Sequence, residues 1–128
     1  MTVRVPVGPG AATRLIASAW LFATDARLAD DTADRLAIVV EEWVTNIAEH
    51  SGAPPGSAIV LKLQQVGLGV RLTVTDAGVA FDPRTAEDRG PNLERGGGAG
   101  IALIRAWSEV EDYQRLSGRN RLVIRLKS

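Results

Sequence analysis

Cysteine is absent from the 128 residues, and the sequence contains a single histidine, His50. The missing thiols exclude disulfides, thiolate metal sites and a cysteine nucleophile, and one histidine cannot form a histidine-based metal cluster. The formal net charge is zero, with 15 basic and 15 acidic residues. Balanced charge gives no electrostatic reason to expect a nucleic acid or an anionic membrane surface as a partner.

Long apolar runs are missing as well. No stretch approaches the about 18 consecutive apolar residues that a membrane-spanning helix needs, and residues 1–6 lack the basic-then-apolar pattern of a signal peptide. The hydrophobic fraction of 45% is nevertheless enough for a core. We therefore expect residues 1–128 to form one soluble, cytoplasmic domain.

Two amphipathic helices are predicted in the first half of the chain. The first covers residues 11–29, and the second begins at an N-cap formed by Asp30 or Asp31 and ends near His50. Apolar residues recur at helical spacing in both segments: Leu15, Ala19, Phe22 and Ala26, then Ala33, Leu36, Val40, Val44 and Ile47. Each helix therefore has one face suited to packing against a core.

Alternating apolar residues predict strands before and after these helices. Residues 3–7 form a short edge strand, since Pro6 cannot donate a ladder hydrogen bond. Two hairpins follow: the predicted strands cover 59–64 and 70–75 around Gly67–Gly69, then 110–115 and 121–127 around Ser117–Asn120. The fold class is therefore α+β, a two-layer sandwich of a mostly antiparallel sheet with helices on one face.

Three clusters of residues indicate chemistry, and the first lies on the second helix. Glu42, Asn46 and either Glu49 or His50 share one face at i, i+4 and i+7 or i+8 spacing, away from the Val40/Val44/Ile47 stripe. A carboxylate can accept a proton, and an amide oxygen is a hard ligand suited to Mg²⁺. An ordinary solvated helix face would show the same pattern.

The second cluster follows the predicted strand 70–75. Asp76 has the same parity as Val70, Leu72 and Val74, so its carboxylate points toward the helix-covered face of the sheet. A carboxylate there needs a donor, for which an adenine amino group is a candidate, and Gly78 would let the backbone approach a flat ligand. The alternative is that Asp76 only opens a turn.

The third cluster is the glycine run Gly96, Gly97, Gly98, Ala99 and Gly100 before a short helix predicted over residues 99–107. Backbone N–H groups at such a helix start can hold phosphates, although glycine runs also occur in plain loops. The absence of Lys-Ser/Thr after the glycines excludes a Walker loop, and the preceding polar segment excludes a dinucleotide-binding turn. The polar loop 77–97 is expected to be a mobile lid.

Taken in order, the three clusters resemble the motifs of the gyrase, histidine kinase and MutL (GHKL) ATPases, specifically their anti-sigma-factor serine kinase branch. Residues 42–46 with His50 resemble the N box, residues 76–83 the first glycine box, and residues 97–105 the second. The similarity extends from about residue 30 to the end of the chain and includes the tail after Glu109.

The resemblance implies ATP in a pocket between sheet and helices. By position, Glu42 becomes the general base, Asn46 the Mg²⁺ ligand and Asp76 the acceptor for the adenine amino group. The resemblance also places His50, Gly78 and the run from Gly96 to Gly100 in the nucleotide site. In this branch a serine on an anti-anti-sigma (STAS-type) protein is phosphorylated and a sigma factor is sequestered, usually by a homodimer.

The sequence departs from the branch at three places. Trp43 replaces a small residue inside the N box, and Ala80 stands where the wider family has a third glycine. The late-strand Thr or Ser that usually supports adenine is missing, and Val123 lies near the position where the family has it. Two other functions stay open: a nucleotide-sensing binding protein without catalysis, and a histidine-kinase ATPase domain. The serine kinase is the function we expect.

Overall fold

The structure is a computed structural model and describes residues 1–83 and 106–127. Two helices and five strands occupy most of these residues. In chain order they are β1 (Thr2–Pro6), α1 (Ala11–Asp25), α2 (Asp30–His50), β2 (Ala58–Val66), β3 (Gly69–Asp76), β4 (Ser108–Leu116) and β5 (Arg119–Leu126).

The strands form one antiparallel sheet in the order β1-β2-β3-β5-β4. β1 lies at an edge, and the two hairpins β2–β3 and β4–β5 pair as the sequence predicts. The hairpins join through β3 and β5, so that the last strand of the chain lies inside the sheet. This arrangement sets Asp76 at the end of β3 opposite Asn120 at the start of β5.

The core lies between the sheet and the two helices. Alternate residues of the strands are buried on the side that the helices cover, in the register Leu61–Val74–Leu122 and Leu63–Leu72–Ile124 across β2, β3 and β5. Leu15 of α1 and Leu36 and Val40 of α2 complete the same cluster. The fold is therefore the predicted α+β sandwich. Neither described helix has the length and apolarity that a membrane span requires.

The boundary between the two helices differs from the prediction. α1 ends at Asp25 rather than at residue 29, because Arg27 adopts a left-handed conformation with φ of 54°. α2 has Ala29 as its N-cap, with no side-chain capping bond, so the predicted Asp cap is wrong. Asp30 and Asp31 instead lie in the first turn, where a carboxylate interacts favourably with the helix dipole.

Candidate functional site

A pocket opens between the C-terminal half of α2 and the adjoining ends of β3 and β5. The cavity itself has a volume of about 90 Å³, and the space rises to about 510 Å³ when the open mouth is counted. Its wall is mostly apolar, with a few polar groups. The lining residues are Trp43, Asn46, Ile47, Ser51, Asp76, Val79, Phe81, Asn120 and Leu122.

Asp76 is a buried carboxylate of this wall, with 4% of its surface exposed. As its parity in β3 predicts, it is buried together with Val74 and Leu72 on the helix-covered side of the sheet. Its Oδ1 accepts hydrogen bonds from the Gly78 backbone N–H (2.7 Å) and from Nδ2 of Asn120 (3.2 Å). Among the described residues Oδ2 has no such partner, so this oxygen keeps its capacity to accept a hydrogen bond from a ligand.

Asn120 connects Asp76 to the loop that follows β3. Besides bonding Asp76, its Nδ2 donates to the carbonyl oxygen of Val79 (2.8 Å). Its Oδ1 accepts from the hydroxyl of Tyr113 and from a guanidinium nitrogen of Arg115 (3.2 Å). The Phe81 N–H donates to the same Tyr113 hydroxyl (3.1 Å). The network therefore fixes both the carboxylate and the backbone of the pocket wall.

Gly78 lies where no side chain fits. A Cβ built on this residue would stand 2.5 Å from Cβ of Ser51, 2.6 Å from Oγ of Ser51 and 2.9 Å from Oδ1 of Asp76. The close approach joins the end of α2 to the loop after β3, since the Val79 N–H also donates to the Ser51 carbonyl oxygen (2.8 Å). The requirement for glycine at this position is therefore steric.

Two buried polar atoms on α2 lack a partner among the described residues: Oδ1 of Asn46 and Nε1 of Trp43. Both residues line the pocket. Asn46 is only about 60° around the helix from Trp43, and it borders the apolar stripe rather than lying away from it. A native protein rarely leaves such atoms unpaired, and the usual reasons include an absent water, ion or ligand.

Glu42 precedes Asn46 by one helical turn but does not line the pocket. Partial burial desolvates its carboxylate and raises its pKa above the ordinary value, and the negative charge of Glu41 raises the pKa further. Glu42 and Asn46 lie on the same face of α2, one helical turn apart. A raised pKa makes the carboxylate a stronger base than an exposed glutamate.

The remaining predicted site residues lie outside what the structure describes. These are the His50 side chain and the run Gly96, Gly97, Gly98, Ala99 and Gly100, together with most of the predicted lid and the short helix after it. No group of three or more His, Asp or Glu side chains that could hold a metal occurs in the described ranges.

Asn120 and Ser51 are site residues that the sequence did not predict. The family position for a late-strand residue that supports adenine lies near Val123, yet the register of β3 with β5 brings Asn120 opposite Asp76 and Val123 opposite Thr73. The position of Asn120 follows only once β5 is known to pair with β3. The sequence signal that could have found it is a polar residue at the start of a strand whose partner strand ends in Asp76.

Comparison with known families decides the identity of the fold. A family model described as the histidine kinase-like ATPase domain matches residues 10–127. The chain belongs to this family.

The fold agrees with solved structures. The blue-light activated histidine kinase of Erythrobacter litoralis EL346 aligns with a TM-score of 0.59 and 18% identity over 95% of this chain and 42% of that one. The histidine kinase domain of the same protein aligns with a TM-score of 0.55 and 21% identity, over 95% of this chain and 61% of that one.

A curated relative carries a more specific name. The serine/threonine-protein kinase BtrW of Bordetella bronchiseptica is 34% identical over 96 residues, which cover 70% of this chain and 66% of the relative. The chain thus matches a little less than two thirds of that protein. The family and this relative together identify a kinase-like ATPase domain, for which ATP is the expected ligand.

Proposed function

We propose that this domain is an ATP-dependent serine/threonine protein kinase that phosphorylates an anti-anti-sigma (STAS-type) protein. The observation that carries the proposal is that Asn46 and Asp76, which are 30 residues apart in sequence, line one pocket in a domain of the histidine kinase-like ATPase family. The name of the relative from Bordetella bronchiseptica supports a hydroxyl as the phosphate acceptor.

The chemistry of the pocket suits a purine base. Ile47, Val79 and Leu122 supply apolar surface for a flat ring, and the ring of Phe81 lies on the same wall. Oδ2 of Asp76 is an acceptor that can bind the exocyclic amino group of adenine. The keto oxygen of guanine at the same position would face a carboxylate, and two acceptors repel each other. We therefore propose ATP rather than GTP as the nucleotide.

Asn46 fits a cation at the phosphate side of the nucleotide. Its Oδ1 is buried, unpartnered among the described residues and of the hard oxygen type that Mg²⁺ prefers. A Mg²⁺ ion retains several waters and takes only one or two protein ligands beside substrate phosphates. When bound, the ion would neutralise charge on the phosphates. The role of Asn46 is to orient one ligand oxygen toward it.

Glu42 is the proposed general base. In the transfer, the γ-phosphorus forms a bond to the substrate hydroxyl oxygen, the bond to the β-phosphate oxygen breaks, and ADP leaves. The hydroxyl proton passes to a carboxylate oxygen of Glu42. The raised pKa of Glu42 favours proton acceptance.

A nucleotide-sensing binding protein is a second candidate. Glu42 is not part of the pocket wall, and the large Trp43 stands where the family branch has a small residue. In this second candidate the domain binds ATP and a partner, such as a sigma factor, without transferring phosphate. Formation of a homodimer is proposed for both candidates.

Incubation of the purified protein with γ-labelled ATP, Mg²⁺ and a purified STAS-type protein tests the kinase proposal. We expect label on a serine or threonine of the partner. Glu42→Gln should lower the transfer rate by about 10²–10⁴-fold with ATP affinity nearly unchanged, because the base acts only during the reaction.

Glu41→Gln is the matched control, since Glu41 lies about 100° around the helix from Glu42. It should transfer phosphate at close to the parental rate. Equal rates of phosphate transfer in the parent, Glu42→Gln and Glu41→Gln would show that Glu42 is not the general base. ATP binding by the parent without transfer to the partner would favour the nucleotide-sensing function.

A further inference from the structure

Trp43 lines the pocket and carries a buried hydrogen-bond donor that has no partner among the described residues. The residue is 4% exposed and lines the pocket, and its Nε1–H finds no acceptor among the described residues. An indole N–H can only donate. Burial without an acceptor is unfavourable, so the arrangement becomes stable when a ligand supplies one.

The ring of Trp43 is held on two sides. One side packs into the core, where Trp43 shares a small apolar cavity with Leu15, Val39 and Ile59. On the pocket side its centroid lies 6.0 Å from that of Phe81, with the two planes inclined by 32°. A ring fixed in this way loses little further freedom when it binds a ligand.

We propose that Trp43 is a specificity-determining residue, whose Nε1–H donates a hydrogen bond to a ring nitrogen of the bound purine. The inference rests on the ATP binding proposed above and deepens it. Asp76 accepts from the exocyclic amino group, and Trp43 donates to a nitrogen of the ring system. An acceptor and a donor that line the same pocket together recognise a heterocycle that carries both complementary groups, which an apolar ring or a sugar of equal size does not.

Base analogues test this donor without changing the protein. Replacing N1, N3 or N7 of adenine by C–H gives 1-deaza-, 3-deaza- and 7-deaza-ATP, which keep the amino group, sugar and phosphates. Calorimetry on the parent should show one of the three binding about three- to tenfold more weakly than ATP, the amount that one neutral hydrogen bond contributes. The other two should bind within about twofold of ATP.

The variant Trp43→Phe then assigns the lost bond. It keeps an aromatic ring and removes the N–H, so it should bind ATP and the discriminated analogue with equal affinity. A packing role alone would weaken both nucleotides by the same factor and preserve their ratio. Trp20→Phe is the control, because Trp20 is 43% exposed on α1, away from the pocket, and should retain the parental ratio.

Each result separates the donor role from ATP binding itself. If the parent binds ATP and all three analogues equally, or if the ratio persists in Trp43→Phe, the donor role is overturned and ATP binding stands. Tighter ATP binding by Trp43→Phe would show that the indole obstructs the pocket and would likewise overturn it. If the parent binds no nucleotide, both the donor role and the proposed ATP binding fail.

Discussion

Nδ2 of Asn120 donates a hydrogen bond of 3.2 Å to Oδ1 of Asp76, a residue 44 positions earlier in the chain. The Gly78 N–H donates to the same oxygen. The protein therefore satisfies one carboxylate oxygen with its own groups and leaves the other to the pocket. We assign the Asp76 carboxylate as the acceptor for adenine. Its orientation is thus set by Asn120 of β5, the last strand of the chain.

Asn120→Ala should unfold more easily than the parent, by about 1–3 kcal/mol, because it strips buried partners from Asp76 and Val79. Asn120→Asp should be worse at neutral pH, since it sets a second carboxylate against Asp76. Urea unfolding measures both effects. Gln114→Ala, at an exposed position of β4, should leave stability close to that of the parent.

Gly78→Ala should destabilise the fold by about 1–3 kcal/mol, as expected for overpacking at a rigid contact. The added Cβ would meet Ser51 at 2.5 Å. Ser51→Gly in the same chain should recover part of the loss, because it removes both Ser51 atoms of the clash. Gly69→Ala is the matched control, as the nearest atom to its Cβ lies 3.7 Å away. Equal thermal shifts for Gly78→Ala and Gly69→Ala would contradict the steric explanation.

Asp76→Asn should weaken ATP binding by about ten- to a hundredfold, or 1–3 kcal/mol. The Gly78 N–H holds the side-chain oxygen in place, so the new amide nitrogen faces the pocket as a donor. Such a donor repels the adenine amino group and suits the keto oxygen of guanine. The ratio of ATP to GTP affinity, measured by calorimetry, should therefore fall or invert. An unchanged ratio would mean that Asp76 is only a turn residue.

Asn46→Ala should lose most of the Mg²⁺ dependence of nucleotide binding, because it removes the buried oxygen assigned to the cation. Asn46→Asp keeps an oxygen at this position and should retain part of the Mg²⁺ dependence. Titration of ATP with and without Mg²⁺ measures the difference. If Asn46→Ala and the parent respond equally to Mg²⁺, the ligand is another group.

Glu42→Gln should be more stable than the parent at neutral pH. The native pKa of Glu42 is raised, first by desolvation and then by Glu41. The native state therefore binds the proton more tightly than the unfolded state, and the free energy of unfolding falls as pH rises between the unfolded-state and native pKa values. Glutamine does not titrate, so its advantage should appear over this window and persist above it.

Glu111→Gln supplies an internal control of opposite sign. The hydrogen bond from Arg71 (2.8 Å) lowers the pKa of Glu111, so its stabilisation is present above the unfolded-state pKa and disappears as pH falls through the native value. This variant should be less stable than the parent at neutral pH and should approach it in acid. Parallel pH profiles for Glu42→Gln and Glu111→Gln would contradict at least one of the two assignments.

The spacing of apolar residues predicted the helices and strands well, because the buried face of each element shows in its own local sequence. The helical stripe of α2 and the alternation of Val70, Leu72 and Val74 each report which face is buried, and Asp76 inherits its inward position from the same alternation. The ends of the helices were harder to predict from the sequence. A left-handed Arg27 ended α1 early, and nothing in its residue type signals that conformation.

The site was only partly predictable, because pairing between distant strands decides it. Residue type and spacing predict Asn46 and Asp76 as site residues, and both line the same pocket. Asn120 was not, since the sequence does not state that β5 lies beside β3 rather than at an edge. Trp43 was noted as a departure in the N box, yet its unpartnered N–H depends on three-dimensional packing.

The interior position of β5 also has a consequence for biosynthesis. A ribosome adds roughly 5–20 residues per second, so the 44 residues between Asp76 and Asn120 take about 2–9 s to synthesise. During that interval β3 has a neighbour on one side only, and its other edge presents unpaired backbone groups to the solvent. A nascent chain that stops short of residue 119 therefore lacks the β5 residues of the pocket wall and displays a strand edge on which a second chain can pair.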